Sequence, residues 1–490
     1  MRGYGLVFLI IFLAGPAWGL SDIEADLKAF KDNPIEYMQR SLSHSGGTRN
    51  VAPINRDFYR QKIIWSSGDV GMLSEGLPAS TIEAIIDLPS DQVLHSLEAM
   101  DQQELLSAEL NDSPWSGDYW PIANGILASR PFDPSFMNAE GWLAKKEYTH
   151  SSPVSEVLQN DNASALLSTS EKYDLLVGSE GTLTEKMWKQ GQYYFDARGE
   201  VETWMGICHG WAPAAYLSPR PVKSVEFKTA EGQTLKFYPA ELRGLASFMW
   251  AEGQYRTRFL GGRCNEKEPE LDEEGRLIEP QCLDTNPGNW HTIVVNQIGK
   301  ARKSFIMDAT YDYQVWNQPV YAYSYRYFNP NLMRPVETLA EAKVDRVDLT
   351  DDIFANHRAE AMASVVGVIM DLAYISEISA YQSEVDRSQD NVVWVRYTYD
   401  LELDAEGNIV GGEWYNLAHP DFLWSPELNS RPRTFNDFGF EPTTLSFDEP
   451  LSEEIKTKAK QNTRYGYILP TLVEALLHKS KWTEEDGVTQ

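Results

Sequence analysis

Apolar positions in residues 20–157 recur mainly at helical spacing, clearest at 82–88 and 91–110, and the second run stops at Asn111-Asp112-Ser113-Pro114. Trp115, Trp120, Phe132, Phe136 and Trp142 then crowd a Pro- and Gly-rich stretch, where large aromatics act as packing anchors. Another helical unit is predicted over 170–194. After Pro221 the period drops towards two: 222–228 and 234–238, joined through Glu231-Gly232, predict a hairpin, followed by a helix over 240–252. Strands are expected at 290–298, 302–308 and 315–328. Residues 355–378 carry Met362, Val365, Val366, Ile369, Leu372 and Ala373 at the spacing of a buried helical face, which predicts a long helix. A second hairpin is expected from 392–403 and 409–415, and helix returns at 467–477. Helices and hairpins segregated in this way indicate an α+β fold, not a doubly wound sheet. The expected organisation is a largely helical N-terminal region at 20–157, serving as pro-region or cap, a core at 158–425 and a C-terminal helical segment at 426–490.

The first nineteen residues follow another pattern. Arg2, an apolar core over 6–13 and the small-residue ending Gly15-Pro16-Ala17-Trp18-Gly19 read as a secretory signal peptide. The core is too short to span a bilayer, and no transmembrane segment is expected elsewhere. The protein is therefore expected to be secreted, or periplasmic in a Gram-negative source. A formal charge of −29 argues against binding nucleic acid phosphates or an anionic membrane, and it identifies no partner.

The residues that carry chemistry lie in the middle of the chain. Cys208 sits in Gly206-Ile207-Cys208-His209-Gly210-Trp211-Ala212-Pro213, and further along come Trp290-His291 and Met307-Asp308. A thiol does acyl chemistry as thiolate, which calls for an imidazole to take its proton and a third group to orient that imidazole. Cysteine, histidine and aspartate follow here in the order used by papain-like cysteine enzymes. Gly206 and Gly210 permit close backbone approach, and residues 212–216 continue as helix, so Cys208 is expected near a helix N-terminus where backbone N–H groups favour thiolate and oxyanion. His209 points about 100° away from its neighbour on a helix and is a poor base. If Gly299-Lys300 forms a two-residue turn, His291 falls opposite Asp308, within reach of a hydrogen bond. A longer turn would let Asp312 or Asp284 compete.

Three cysteines divide into one pair and one free thiol. Pairing Cys264 with Cys282 would close a loop and leave Cys208 reactive, whereas pairing Cys208 with either would leave no nucleophile. The loop is rich in carboxylates, among them Glu270, Asp272 and Glu274. Clustered carboxylates can hold calcium, but their order does not match an EF-hand, and a solvated charged loop is the plainer reading. Tyr321, Tyr323, Tyr325 and Tyr327 alternate along one expected strand and so share a face.

With these residues in view, the chain resembles the oomycete transglutaminase elicitor family, which has relatives in marine bacteria. The shared marks are residues 206–213, Asp284-Thr285-Asn286-Pro287-Gly288, Trp290-His291 and Val315-Trp316-Asn317-Gln318-Pro319-Val320, together with segments near Trp115 to Ile122 and His419 to Trp424. The resemblance spans about residues 113–425. It implies a fold whose core is related to cysteine proteases, with the Cys208 helix packed on antiparallel sheet and a triad of Cys208, His291 and Asp308. It also implies protein substrates with Gln as acyl donor and Lys or another amine as acceptor, no organic cofactor, and an association with calcium. After Val320 this chain has Tyr321-Ala322-Tyr323 where the family's plant-recognised peptide has Arg-Gly-Phe, so plant recognition is not carried over. Papain-like proteases often place an oxyanion-hole Gln six residues before the cysteine. Glu202 stands there, which leaves Trp204 or Gln192 as candidates for that support. A secreted cysteine protease with the same triad, or a non-catalytic secreted surface protein, are the alternatives.

Overall fold

The computed structural model describes residues 20–38, 85–262, 285–309, 314–383, 387–416, 419–437 and 441–481. Its centre is a curled antiparallel sheet. Seven strands follow in the spatial order β11 (Ile409–Trp414), β10 (Asn391–Leu403), β9 (Ser364–Ser376), β6 (Asn317–Asn329), β5 (Ile306–Asp308), β12 (Phe422–Pro426) and β4 (Thr257–Gly261). The short strands β1 (Ser107–Glu109) and β7 (Arg334–Val336) pair with β6, and β8 (Val344–Asp345) pairs with β9. A separate hairpin joins β2 (Val225–Lys228) to β3 (Thr234–Phe237). Mixed helix and antiparallel sheet agrees with the α+β expectation, and both predicted hairpins are present.

The long helix expected at 355–378 is instead β9, the central strand, and the reason lies in the residues. Val365, Val366, Val368, Ile369, Met370, Leu372, Ala373 and Ile375 leave no polar face, and twelve of its thirteen residues are buried. A helical face needs an opposite polar face, whereas a strand covered on both sides reads as an unbroken apolar run. The pairings Tyr325↔Met370↔Tyr397 and Tyr327↔Val368↔Tyr399 set these side chains on one face of the sheet. Phe328 and Ile369 belong to the other face, where Ile23, Leu27 and Phe30 of the N-terminal helix (Leu20–Asp32) form a second core with Met333, Phe354 and Tyr415.

The expected strand at 290–298 is also replaced. Pro287–Val294 is a helix, continued by a π turn to Lys300. Asn286 caps it by accepting from Gly288 N at 2.8 Å, and Pro287 holds the first helical position, where its missing N–H costs nothing. Trp290, Ile293, Val294 and Ile298 also fit a helical stripe, so the β-branched run was ambiguous and the cap decided it. The helix expected at 91–110 shrinks to Leu97–Gln102, after which residues 107–109 join the sheet.

Helices Thr169–Val177, Thr182–Arg198, Cys208–Leu217, Pro239–Glu252 and Pro470–Lys479 form the helical part of the molecule. Two fully buried ion pairs tie it together: Lys172 to Glu241 and Arg130 to Glu171, both at 2.6 Å. No helix among the described residues is long and apolar enough to cross a membrane. The segment expected as signal peptide, Cys264 and Cys282 with the loop between them, and the calcium candidates Glu270, Asp272 and Glu274 all lie outside the described residues.

Candidate functional site

Cys208 is the first residue of its helix, as the pattern at 206–213 predicted, and it is a free, buried thiol. Gly206 and Gly210 make that placement possible. A Cβ at Gly206 would meet the Tyr119 carbonyl, and one at Gly210 would meet the Ser247 carbonyl and Ala251 of the neighbouring helix. The Tyr119 carbonyl in turn accepts from Ile207 N at 2.8 Å, which pins the residue just before the cysteine. His209 lies on the Ala251 side, bonded to that residue's backbone, so it faces away from the thiol as its helical angle requires.

One short segment surrounds Sγ. The thiol donates to the Val315 carbonyl at 3.7 Å and accepts from Asn317 Nδ2 at 3.5 Å. Between these two, Trp316 N donates to Asp308 Oδ1 at 3.0 Å, while the Trp316 ring packs against Tyr119 with centroids 5.3 Å apart. The Asn317 carboxamide is held from its other end by Trp424 Nε1, which donates to Oδ1 at 2.7 Å. β5 and β12 bring these groups together: Asp308 pairs with Asn317, and Trp424 pairs with Ile306. Burial pushes the Cys208 thiol up to about 11; the Asn317 bond opposes that shift, and the carboxylates of Glu377 and Asp308 add to it. The group is therefore a neutral thiol at pH 7.

The predicted pairing of His291 with Asp308 does not form. Asp308 is opposite Asn317, because residue 291 is on a helix and no hairpin turn exists at 299–300. His291 Nδ1 shares a hydrogen bond of 2.8 Å with Tyr399 OH, its ring stacks edge-on against Tyr325 at 4.7 Å, and its Nε2 has no partner. Tyr325 lies eight residues along β6 from Asn317, about 25 Å of strand at ~3.3 Å per residue. The imidazole therefore lies among the aromatic side chains Tyr325 and Tyr399 and makes no hydrogen bond to the thiol. Tyr323, Tyr325 and Tyr327 serve as core there.

The other support candidates are elsewhere too. The Trp204 indole donates to Glu202, the residue in the position where papain-like proteases carry Gln. Gln192 sits on the Thr182–Arg198 helix, accepting from Lys146 Nζ and donating to Asp196, both at 2.6 Å. Asn317 and Trp424 were not foreseen as site residues, although both belong to segments that carried the family resemblance. Among the described residues no group of three His, Cys, Asp or Glu could hold a metal ion.

Two imidazoles are buried in uncharged form. Desolvation pushes His291 and His419, the latter stacked on Trp414 at 4.9 Å, down to about 3. The unfolded chain takes up these protons below pH ~6.5 while the native state resists until about pH 3, so their contribution to stability is lost as pH falls through that window. For each residue the loss amounts to roughly 4–5 kcal/mol by the lower end of the window. His419→Phe, which keeps the ring stack, is expected to flatten the fall in urea midpoint between pH 7 and pH 4 relative to wild type. Parallel pH profiles for the two proteins would contradict a buried neutral His419.

Comparison with known proteins gives three findings. No match was found among curated protein sequences. A solved structure, the GP42 transglutaminase from Phytophthora sojae, is similar at 18% sequence identity with a TM-score of 0.44, over 84% of this chain and 99% of that one. The transglutaminase elicitor family model matches residues 91–446, which include Cys208, Asp308, Asn317 and Trp424. Since that match covers most of the chain, the protein belongs to the transglutaminase elicitor family.

Proposed function

We propose that this protein is a secreted protein-glutamine γ-glutamyltransferase whose nucleophile is Cys208. Family membership supports transglutaminase-like chemistry on protein substrates. The observation that carries the assignment of the nucleophile is a free thiol at the first residue of a helix, held between a hydrogen-bond donor and an acceptor. In the proposed reaction Sγ attacks the γ-carboxamide carbon of a protein Gln. The C–S bond forms, the C–N bond breaks, and ammonia leaves with the thiol's proton. A Lys ε-amine then attacks the thioester, forms the isopeptide bond and returns the sulfur as thiol. The resemblance assigns proton transfer to His291 and its orientation to Asp308. Both remain part of the proposal on that ground alone; in the conformation described His291 is bonded to Tyr399. The Cys208 helix and its sheet are read as a papain-like core, and secretion rests on the pattern of residues 1–19. Calcium, with Glu270, Asp272 and Glu274 as ligand candidates, is the one inorganic requirement proposed.

The test is incorporation of a fluorescent primary amine into a Gln-bearing protein, with and without chelator. Time-dependent, covalent labelling is expected, and its loss with chelator would support the calcium assignment. Peptide hydrolysis with no amine incorporation would replace this reading by a cysteine protease. A second reading, a non-catalytic surface protein, is favoured by the burial of the thiol and by His291 being bonded to Tyr399 and not to the thiol. A native Cys208 that never reacts with iodoacetamide, in a protein without amine incorporation, would establish it.

A further inference from the structure

Among the described residues the thiol of Cys208 has one side-chain hydrogen-bond donor, and that donor is itself aimed. Asn317 Nδ2 points at Sγ and Asn317 Oδ1 accepts from Trp424 Nε1 at 2.7 Å. An indole nitrogen can only donate, so it fixes which end of the carboxamide is oxygen and leaves the NH₂ facing sulfur. Asn317 is 4% and Trp424 8% exposed, so water does not compete freely for either bond. The two residues come from strands that flank β5, and the β5 partner of Asn317 is Asp308.

We propose that Asn317 stabilises the Cys208 thiolate and that Trp424 is the positioning residue that keeps its N–H on sulfur. The need for such a donor follows from the surroundings. The titratable groups bearing on the thiol are Asp308 on β5 and Glu377 just past the end of β9, both carboxylates that oppose formation of a second negative charge. Burial opposes it as well. A fixed N–H at 3.5 Å favours the thiolate over the thiol, since an anionic sulfur accepts the stronger hydrogen bond. The proposal rests on Cys208 as the reacting group, and its readout is chosen to be independent of amine transfer.

The experiment is the pH dependence of Cys208 methylthiolation by methyl methanethiosulfonate in the full chain, followed by intact mass. Trp424→Phe keeps an aromatic ring and removes the N–H, and Asn317→Leu removes the side-chain donor while keeping the backbone N–H of residue 317, which also bonds the sulfur. Thiolate population changes tenfold per pH unit below its midpoint, so Trp424→Phe is expected to slow the reaction at pH 8 by roughly 3- to 10-fold and to move the midpoint upward. Asn317→Leu is expected to do the same or more, and Asn317→Asp, which adds a third carboxylate, to slow it furthest. A Trp424→Phe profile superimposable on wild type, with melting temperature unchanged, would overturn the proposal, as would a wild-type thiol unreactive up to pH 10. If the profiles shift as expected while wild type incorporates no amine, the transglutaminase reading fails and the thiolate support stands.

Discussion

Replacing Cys208 by Ser should reduce amine incorporation by at least ~10³-fold, because an alcohol with the same position lacks the acidity and nucleophilicity that the thioester route requires. The change is small in volume and leaves a polar group facing the Val315 carbonyl and Asn317 Nδ2. The melting temperature should therefore move by no more than a few degrees, which separates lost chemistry from lost fold. Wild-type activity in Cys208→Ser would remove the nucleophile assignment, whatever the fate of His291. The burial that pushes the thiol up to about 11 makes a further demand on the wild type. Activity should rise with pH across 7 to 9, since only the small thiolate fraction can attack.

The largest effect on stability is expected at Arg358. Its guanidinium donates to both oxygens of Asp400 at 2.7 and 2.8 Å and to both of Asp352 at 3.0 and 3.1 Å, and reaches Glu402 at 3.3 Å. Asp400 is fully buried, and the Arg358 side chain is 3% exposed. Arg358→Met keeps most of the apolar stem and leaves these carboxylates without their cation, which should lower unfolding free energy by about 3–5 kcal/mol. The damage should spread to the N-terminal helix. Tyr415, bonded to Asp400 at 3.3 Å, stacks on Phe30 with centroids 4.2 Å apart. Arg387→Met provides the contrast: its ion pair with Asp112 is well exposed, and its loss should cost at most about 1 kcal/mol. Urea unfolding of the two variants decides the matter, and equal midpoint shifts would refute the structural weight given to Arg358.

The local readings that held depended on neighbours in the chain. The hairpin at β2–β3, the helix at 239–252 and the helix opening at Cys208 each follow from a period or from residues a few positions apart, such as Glu231-Gly232 or Gly206 and Gly210. Where a run is apolar throughout, period carries little information. Residues 364–376 and 290–298 suit helix or strand equally until burial on both faces, or an Asn286-Pro287 cap, decides between them. In both the pattern favours the other element, and the helix at 287–294 removes the strand register that would place His291 opposite Asp308.

By itself the sequence determined the α+β class, the free thiol's place at a helix start and the segments that mark the family. Only the tertiary structure decided what surrounds that thiol. Asn317, Trp424 and Asp308 converge on it because β5 lies between β6, its neighbour along the chain, and β12, whose Trp424 is 107 residues beyond Asn317, while Asn317 is itself 109 residues beyond the thiol. Pairing over such separations is set by which buried faces fit together, and no short-range pattern encodes it.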